Sequence, residues 1–122
     1  MKKLSPVDVS FLTFESAETP MHIGNLQIYS LPKGAQANYL EDLTDSLRDV
    51  SELASPFNRV LSIPYPKIKF PKWLKAEHVD MHYHVRHVAL PKPGNDESLH
   101  TLVSTIHSQS LDRTRPLWEV YV

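Results

Sequence analysis

The chain reads as a mixed α/β (α+β) fold, a sheet with helices packed on it. Three observations predict this. Apolar residues recur at helical spacing in three separate stretches. Alternating or β-prone runs lie between and after those stretches, which interleaves strands with helices. Ten prolines punctuate the connections, where a continuous helix would lose hydrogen bonds.

The elements follow in order. Ser5-Pro6-Val7-Asp8 is a helix start: Ser5 can cap, Pro6 suits the first helical position, and Asp8 sits where a carboxylate meets unpaired amides. Val7, Phe11 and Phe14 then share a face, giving a short helix to about Glu15. Pro20 closes that region. His22 to Ser30 alternates as a strand, with Leu26 and Ile28 on one side, and Leu31 to Gly34 makes a turn. Asn38 followed by Glu41 predicts a capping box, and Tyr39, Leu40, Leu43, Leu47 and Val50 form one apolar stripe of a second helix ending near Ser51. Four prolines between Pro56 and Pro71 predict extended chain, with a strand around Ile68 to Leu74. Met81 to Leu90 is predicted as a strand closed by Pro91-Lys92-Pro93-Gly94. Asp96 to Leu111 is the third helix, with Leu99, Leu102, Val103 and Ile106 inward. Pro116 leads into a strand from Leu117 to Val122.

At 122 residues the chain fits one modest domain or one piece of a larger one. A formal charge of −1 gives no field that would draw nucleic acid, so no nucleic-acid partner is expected. The absence of cysteine removes disulfides, thiolate nucleophiles and cysteine zinc sites, and suits a cytosolic protein. Three glycines leave nothing like a phosphate-cradling loop. The N-terminus lacks the apolar core of a signal peptide, and no apolar run reaches the length of a membrane span.

The histidines between His78 and His87 invite a metal reading. On a strand, His82 and His84 would share a face while His87 falls opposite with Tyr83 and Val85. Arg86 and Val88 add no third ligand and Asp80 is a weak one, so no metal site is expected. His100 and His107 border the third helix's apolar stripe, and His22, after Met21, can line a cavity. There is no Gly-x-Ser-x-Gly elbow. Asp112 and Glu119 flank Arg113 and Arg115, the pattern of surface ion pairs. From residues alone the chain shows a fold without an active site: no catalytic residue and no cofactor are assigned.

An ordered set of short motifs carries a resemblance. Ser5-Pro6-Val7-Asp8, Phe11-Leu12, Pro20-Met21-His22-Ile23-Gly24, Pro56-Phe57-Asn58, Val85-Arg86-His87, Ala89-Leu90-Pro91, Pro93-Gly94 and Leu111-Asp112-Arg113-x-Arg115-Pro116-Leu117-Trp118-Glu119 together resemble the opening of bacterial wax ester synthase/acyl-CoA:diacylglycerol acyltransferases. That family is similar to the coenzyme A-dependent acyltransferase superfamily. The resemblance implies the first part of a chloramphenicol-acetyltransferase-like half-domain, with residues 1–122 ending before an HHxxxDG motif. The second histidine of that motif would be the general base on an alcohol hydroxyl attacking an acyl-CoA thioester. The chain has no adjacent His-His pair, so no catalytic residue is carried over. Asn25 and the stretch from Pro64 to Leu74 depart from the family pattern.

Pro116, Leu117 and Trp118 match a family motif expected to pack and set the strand feeding the catalytic loop, with Arg113 and Arg115 bracing the turn. Met21 and His22 are candidate tunnel-lining residues. The implied substrates of the whole enzyme are acyl-CoA and either diacylglycerol or a long-chain alcohol. The implied location is cytoplasmic, at the inner membrane or lipid droplets. Between Arg59 and Lys75 lie five basic residues and no acidic one. Lys67, Lys69, Phe70, Lys72 and Trp73 are therefore candidates for a membrane-facing surface, balanced by the reading in which the aromatics pack inward. The isolated segment is expected to self-associate through its unpaired apolar end. The alternative to an enzyme segment is a non-catalytic binding module with the same half-fold.

Overall fold

The computed structural model describes residues 2–50, 52–62 and 70–122. Helix α1 (Pro6–Phe14) forms where the local chemistry asks for it. Ser5 Oγ accepts from the Asp8 N–H at 3.1 Å, and the Ser5 N–H donates to Asp8 Oδ2 at 2.9 Å. This reciprocal box satisfies two groups that helix starts otherwise leave unpaired. Helix α2 (Tyr39–Arg48) begins at Asn38, but the expected box is not made: Asn38 has no side-chain bond to the helix backbone, and its Nδ2 donates to Asp42 Oδ2 at 2.8 Å.

The face α2 turns inward also differs from the stripe. Thr44 is 1% exposed and Arg48 Nε donates to the Val85 carbonyl at 2.9 Å, while Leu40, Leu43 and Leu47 remain near 40% exposed. A guanidinium that reaches a strand carbonyl needs its own face of the helix inward. Helix α4 (Asp96–His107) is capped by Asn95, whose Oδ1 accepts from the Ser98 N–H at 3.0 Å. It stops at His107, four residues short of the expected end. There Ser108 caps the helix and its Oγ bonds back to the Thr105 carbonyl.

Two small sheets lie between the helices. Strands β1 (Lys2–Lys3), β2 (Arg59–Ser62) and β3 (Lys72–Lys75) make an antiparallel sheet in the order β1-β3-β2. Trp73 sits at its centre, opposite Lys2 on one side and Leu61 on the other. Of the strand expected over Ile68 to Leu74, residues 68 and 69 lie outside the described residues. β2 was not expected; Val60 and Leu61 between flanking prolines were its only local signal. Strand β4 (Val85–Arg86) pairs in parallel with β5 (Val120–Tyr121), so the strand expected over Leu117 to Val122 shortens to two residues and its apolar end is not unpaired but lies against β4. Bonds from Val122 N–H to the Arg86 carbonyl (2.8 Å) and from Val88 N–H to the Val122 carbonyl (2.9 Å) extend that ladder.

Two strand expectations are overturned. His22 to Ser30 is not a strand: it joins no ladder among the described residues, and Ile23, Ile28 and Tyr29 are 89%, 76% and 81% exposed. Alternation supplies a face, but a strand also needs a neighbour. Met81 to Leu90 starts instead as a one-turn helix, α3 (Met81–His84), before the two residues of β4. Asp80 decides this, because its carboxylate accepts from the Tyr83 N–H at 3.2 Å and caps the turn. Leu61 and Val85 form the apolar centre. No helix among the described residues is long and apolar enough to cross a membrane.

The α1 cap makes a pH prediction. The Ser5 N–H, first among several hydrogen bonds, holds the Asp8 carboxyl below its usual value of 3.8 against the opposing effect of burial. A lowered folded-state value stabilises the fold above the unfolded value near 3.8 and is lost as pH falls below it. Acid titration of stability should therefore show a shallower low-pH limb for Asp8→Asn than for the unaltered chain. An identical limb in both would remove Asp8 from the account.

Candidate functional site

The motif Pro116-Leu117-Trp118 is held by backbone, ring and side-chain contacts together. Pro116 is buried, and its carbonyl accepts from the Trp118 N–H at 2.9 Å. The Trp118 indole stacks on His84, with centroids 4.4 Å apart and planes at 25°, and meets the Phe57 ring edge-on at 5.7 Å. Its Nε1–H donates to the Phe57 carbonyl at 2.8 Å. Three contacts on one ring fix its rotamer and the direction of the chain that follows.

His84 is 0% exposed. Its Nδ1 lies 2.7 Å from the Trp118 carbonyl, which can only accept, so the proton sits on Nδ1. The buried Nε2 has no partner among the described residues. The ring lines a polar cavity of about 360 Å³ shared with Glu77, Asp80 and Arg115. The expected strand geometry of the histidines therefore fails. On the α3 turn two residues span about 200° around the axis, and His82 is exposed while His84 is enclosed. No group of three or more potential ligands among the described residues could hold a metal ion.

Glu119 anchors the neighbouring polar cluster. Its carboxylate accepts from Tyr83 OH at 3.0 Å and Tyr121 OH at 2.7 Å, and faces Arg86 Nη2 at 3.6 Å. Arg86 also donates to the Tyr83 carbonyl at 2.7 Å and lies over the Tyr83 ring. Burial first, then the Glu119 carboxylate, pushes the Tyr121 hydroxyl up to about 12 and raises that of Tyr83, so both remain donors at neutral pH. The ion-pair expectation is corrected here. Glu119 is half-buried and pairs with Arg86, not with Arg113 or Arg115, while Asp112 does meet Arg115 at 3.5 Å.

Arg113 ties the motif to α1. Its Nη2 donates to the Leu12 carbonyl at 2.8 Å and to Glu15 Oε1 at 3.0 Å. Glu15 Oε2 in turn accepts from the Met21 N–H at 3.0 Å. Met21 and His22 are placed by this chain of bonds against a cavity of about 310 Å³, with Phe11, Leu12, Leu111 and Leu117 around it. His22 packs edge-on against His107 at 4.6 Å, and its Nδ1 is buried without a partner among the described residues. A third cavity, about 520 Å³, lies between Lys2, Lys3, Phe57, Arg59, Trp73 and Trp118.

Of the candidate membrane residues, Lys67 and Lys69 lie outside the described residues. Phe70 is 80% exposed and Lys72 is exposed. Trp73 is half-buried, with Nε1–H directed to Asp8 Oδ2 at 3.4 Å. Reading the residues did not single out His84 or Phe57 as partners of Trp118. The only signal was that Pro56-Phe57-Asn58 and the histidine run occur in the same ordered set as the motif itself. The arrangement combines apolar cavities with a rigid aromatic joint.

Residues 4–122 match the family model described as the wax ester synthase/diacylglycerol acyltransferase catalytic domain. A Mycobacterium bovis protein named as a diacylglycerol O-acyltransferase is 38% identical over 122 residues, which are 100% of this chain and 26% of that protein. Tgs4 of Mycobacterium tuberculosis, named likewise, is 36% identical over 129 aligned positions, covering 100% of this chain and 25% of its own length. The chain thus spans about a quarter of the curated relatives it matches. The solved structure of a wax ester synthase/diacylglycerol acyltransferase from Marinobacter aquaeolei VT8 superposes with a TM-score of 0.90 at 43% identity, over 99% of this chain and 29% of that one.

The aromatic joint predicts an ordered series of stabilities. His84→Ala deletes an enclosed ring and strips a carbonyl of its donor, which should cost about 2–4 kcal/mol. Trp118→Phe keeps a stacking ring but loses the bond to Phe57, a loss of about 1 kcal/mol. Urea unfolding of the protein carrying this chain should rank them in that order. A His84→Ala variant as stable as its parent would show that the joint does not hold the fold.

Proposed function

We propose that this chain, which belongs to the wax ester synthase/diacylglycerol acyltransferase catalytic domain family, is the N-terminal part of an O-acyltransferase. The enzyme moves a long-chain acyl group from acyl-CoA to diacylglycerol, forming triacylglycerol, or to a long-chain alcohol, forming a wax ester. The observation that carries this reading is the superposition on a wax ester synthase/diacylglycerol acyltransferase over 99% of the chain. The ordered motifs ending in Pro116-Leu117-Trp118 support it.

The contribution of these residues is scaffold and cavity wall. Acyl transfer to an alcohol needs a base within hydrogen-bond reach of the hydroxyl and donors around the developing oxyanion. No His-His pair occurs in the 122 residues. The base therefore comes from an HHxxxDG motif in the rest of the enzyme, reached through the strand that Trp118 directs. Under this reading residues 1–122 form one part of an acyltransferase domain, and no cofactor is needed beyond the acyl-CoA substrate. The purified 122-residue segment should form no ester from acyl-CoA with hexadecanol or diacylglycerol, whereas the full-length protein should. Ester formation by the segment alone, abolished by His84→Ala, would move the chemistry into these residues.

Exposed apolar surface fits a part waiting for its remainder. Ile23, Ile28, Tyr29 and Leu31 are each at least 60% exposed, an apolar patch of the kind that packs against another surface. In the whole enzyme the rest of the domain covers it; the isolated segment self-associates. Exposed Phe70 beside Lys72 gives the enzyme a contact for an anionic lipid surface, in keeping with a cytoplasmic enzyme at the inner membrane or lipid droplets. Light scattering should find the segment larger than a monomer, and anionic vesicles should sediment the full-length protein less well after Phe70→Ser with Lys72→Glu. A clean monomer, or equal sedimentation, would remove the respective surface.

A further inference from the structure

Two cavities meet at three side chains. Asp8, Trp73 and Leu117 line both the 520 Å³ cavity and the 310 Å³ cavity. Trp73 is held between them from two directions. Its backbone occupies the middle strand of the antiparallel sheet, and its indole N–H points to an Asp8 carboxylate anchored by the Ser5 N–H. An aromatic ring restrained by both a sheet and a helix cap acts as a fixed partition.

The two sides differ in charge. The larger cavity has Lys2, Lys3 and Arg59 in its lining, while Asp8, the one carboxylate there among the described residues, is already engaged in the helix cap. The smaller is lined mainly by Phe11, Leu12, Met21, Leu111 and Leu117, and its Glu15 is taken up by Arg113. A cationic rim leading past an indole into an apolar chamber is complementary to a molecule with an anionic head and a long apolar tail. Neutral diacylglycerol and fatty alcohols would gain nothing from the rim.

We infer that the two cavities are successive parts of one channel for the acyl chain of the anionic donor, with Trp73 as the specificity-determining residue that limits how long a chain fits. This rests on the acyltransferase reading above. The test compares the full-length protein with its Trp73→Ala and Trp73→Phe variants. Equilibrium binding is measured for saturated acyl-CoAs from octanoyl to eicosanoyl, and turnover for the same donors and for a series of alcohols.

Affinity in the unaltered protein should rise with chain length and then level off. In Trp73→Ala it should keep rising past that length, by up to about fourfold per added methylene. The donor optimum in turnover should lengthen while the alcohol optimum stays. Trp73→Phe should shift the donor limit less, in the same sense, and carries the test if the alanine variant does not fold. Ester formation with the same donor limit in every folded variant, or a shift confined to the alcohols, overturns the role of Trp73 and leaves the acyltransferase reading standing. Absence of both acyl-CoA binding and ester formation in the unaltered protein overturns both.

Discussion

A histidine ring enclosed against an indole is the contact on which the rest of this chain depends. His84 closes the one-turn helix and immediately precedes Val85; Trp118 lies two residues before Val120. Val85 and Val120 are the first pair of the parallel ladder. The His84 Nδ1 to Trp118 carbonyl bond and the stacked rings thus bring two segments together just where their pairing begins. Parallel strands cannot be joined by a tight turn, and helix α4 lies between these two, so the register has to be set by contacts of this kind.

Around that joint the apolar centre is small, and arginine bonds take up much of the positioning. Arg48 reaches the Val85 carbonyl, Arg86 the Tyr83 carbonyl and Arg113 the Leu12 carbonyl. Each guanidinium links a side chain on one element to the backbone of another, which gives direction that dispersion contacts lack. Arg86 and Arg113 are also paired with half-buried carboxylates, Glu119 and Glu15. Removing either carboxylate would leave a partly desolvated charge without its partner, so these pairs act as units.

The cavities follow from the same positioning. Glu15, held by Arg113, fixes the Met21 N–H, and Met21 and His22 then form part of a wall with α1. Trp73 enters between the two chambers because β3 is sandwiched by β1 and β2. The walls of these two cavities are thus mostly aromatic and aliphatic, with Lys2, Lys3 and Arg59 in the lining of the larger one.

The sequence by itself determined the starts of α1, α2 and α4 and the turns. Ser5 and Asp8, Asn95 and Ser98, and Gly34 and Gly94 act within three or four residues of themselves, so their chemistry is legible in a short window. It also carried the family, through motifs whose order survives without any knowledge of contact. Tertiary structure alone decided the strands and the partners. His22 to Ser30 alternates like a strand yet finds no neighbour among the described residues. Arg48 draws an unexpected face of α2 inward. His84 meets Trp118 across 34 positions and Trp73 meets Asp8 across 65. A capping bond is decided by neighbours in the chain, whereas a strand pair, a stacked ring or a cavity wall is decided by residues that only folding brings within reach.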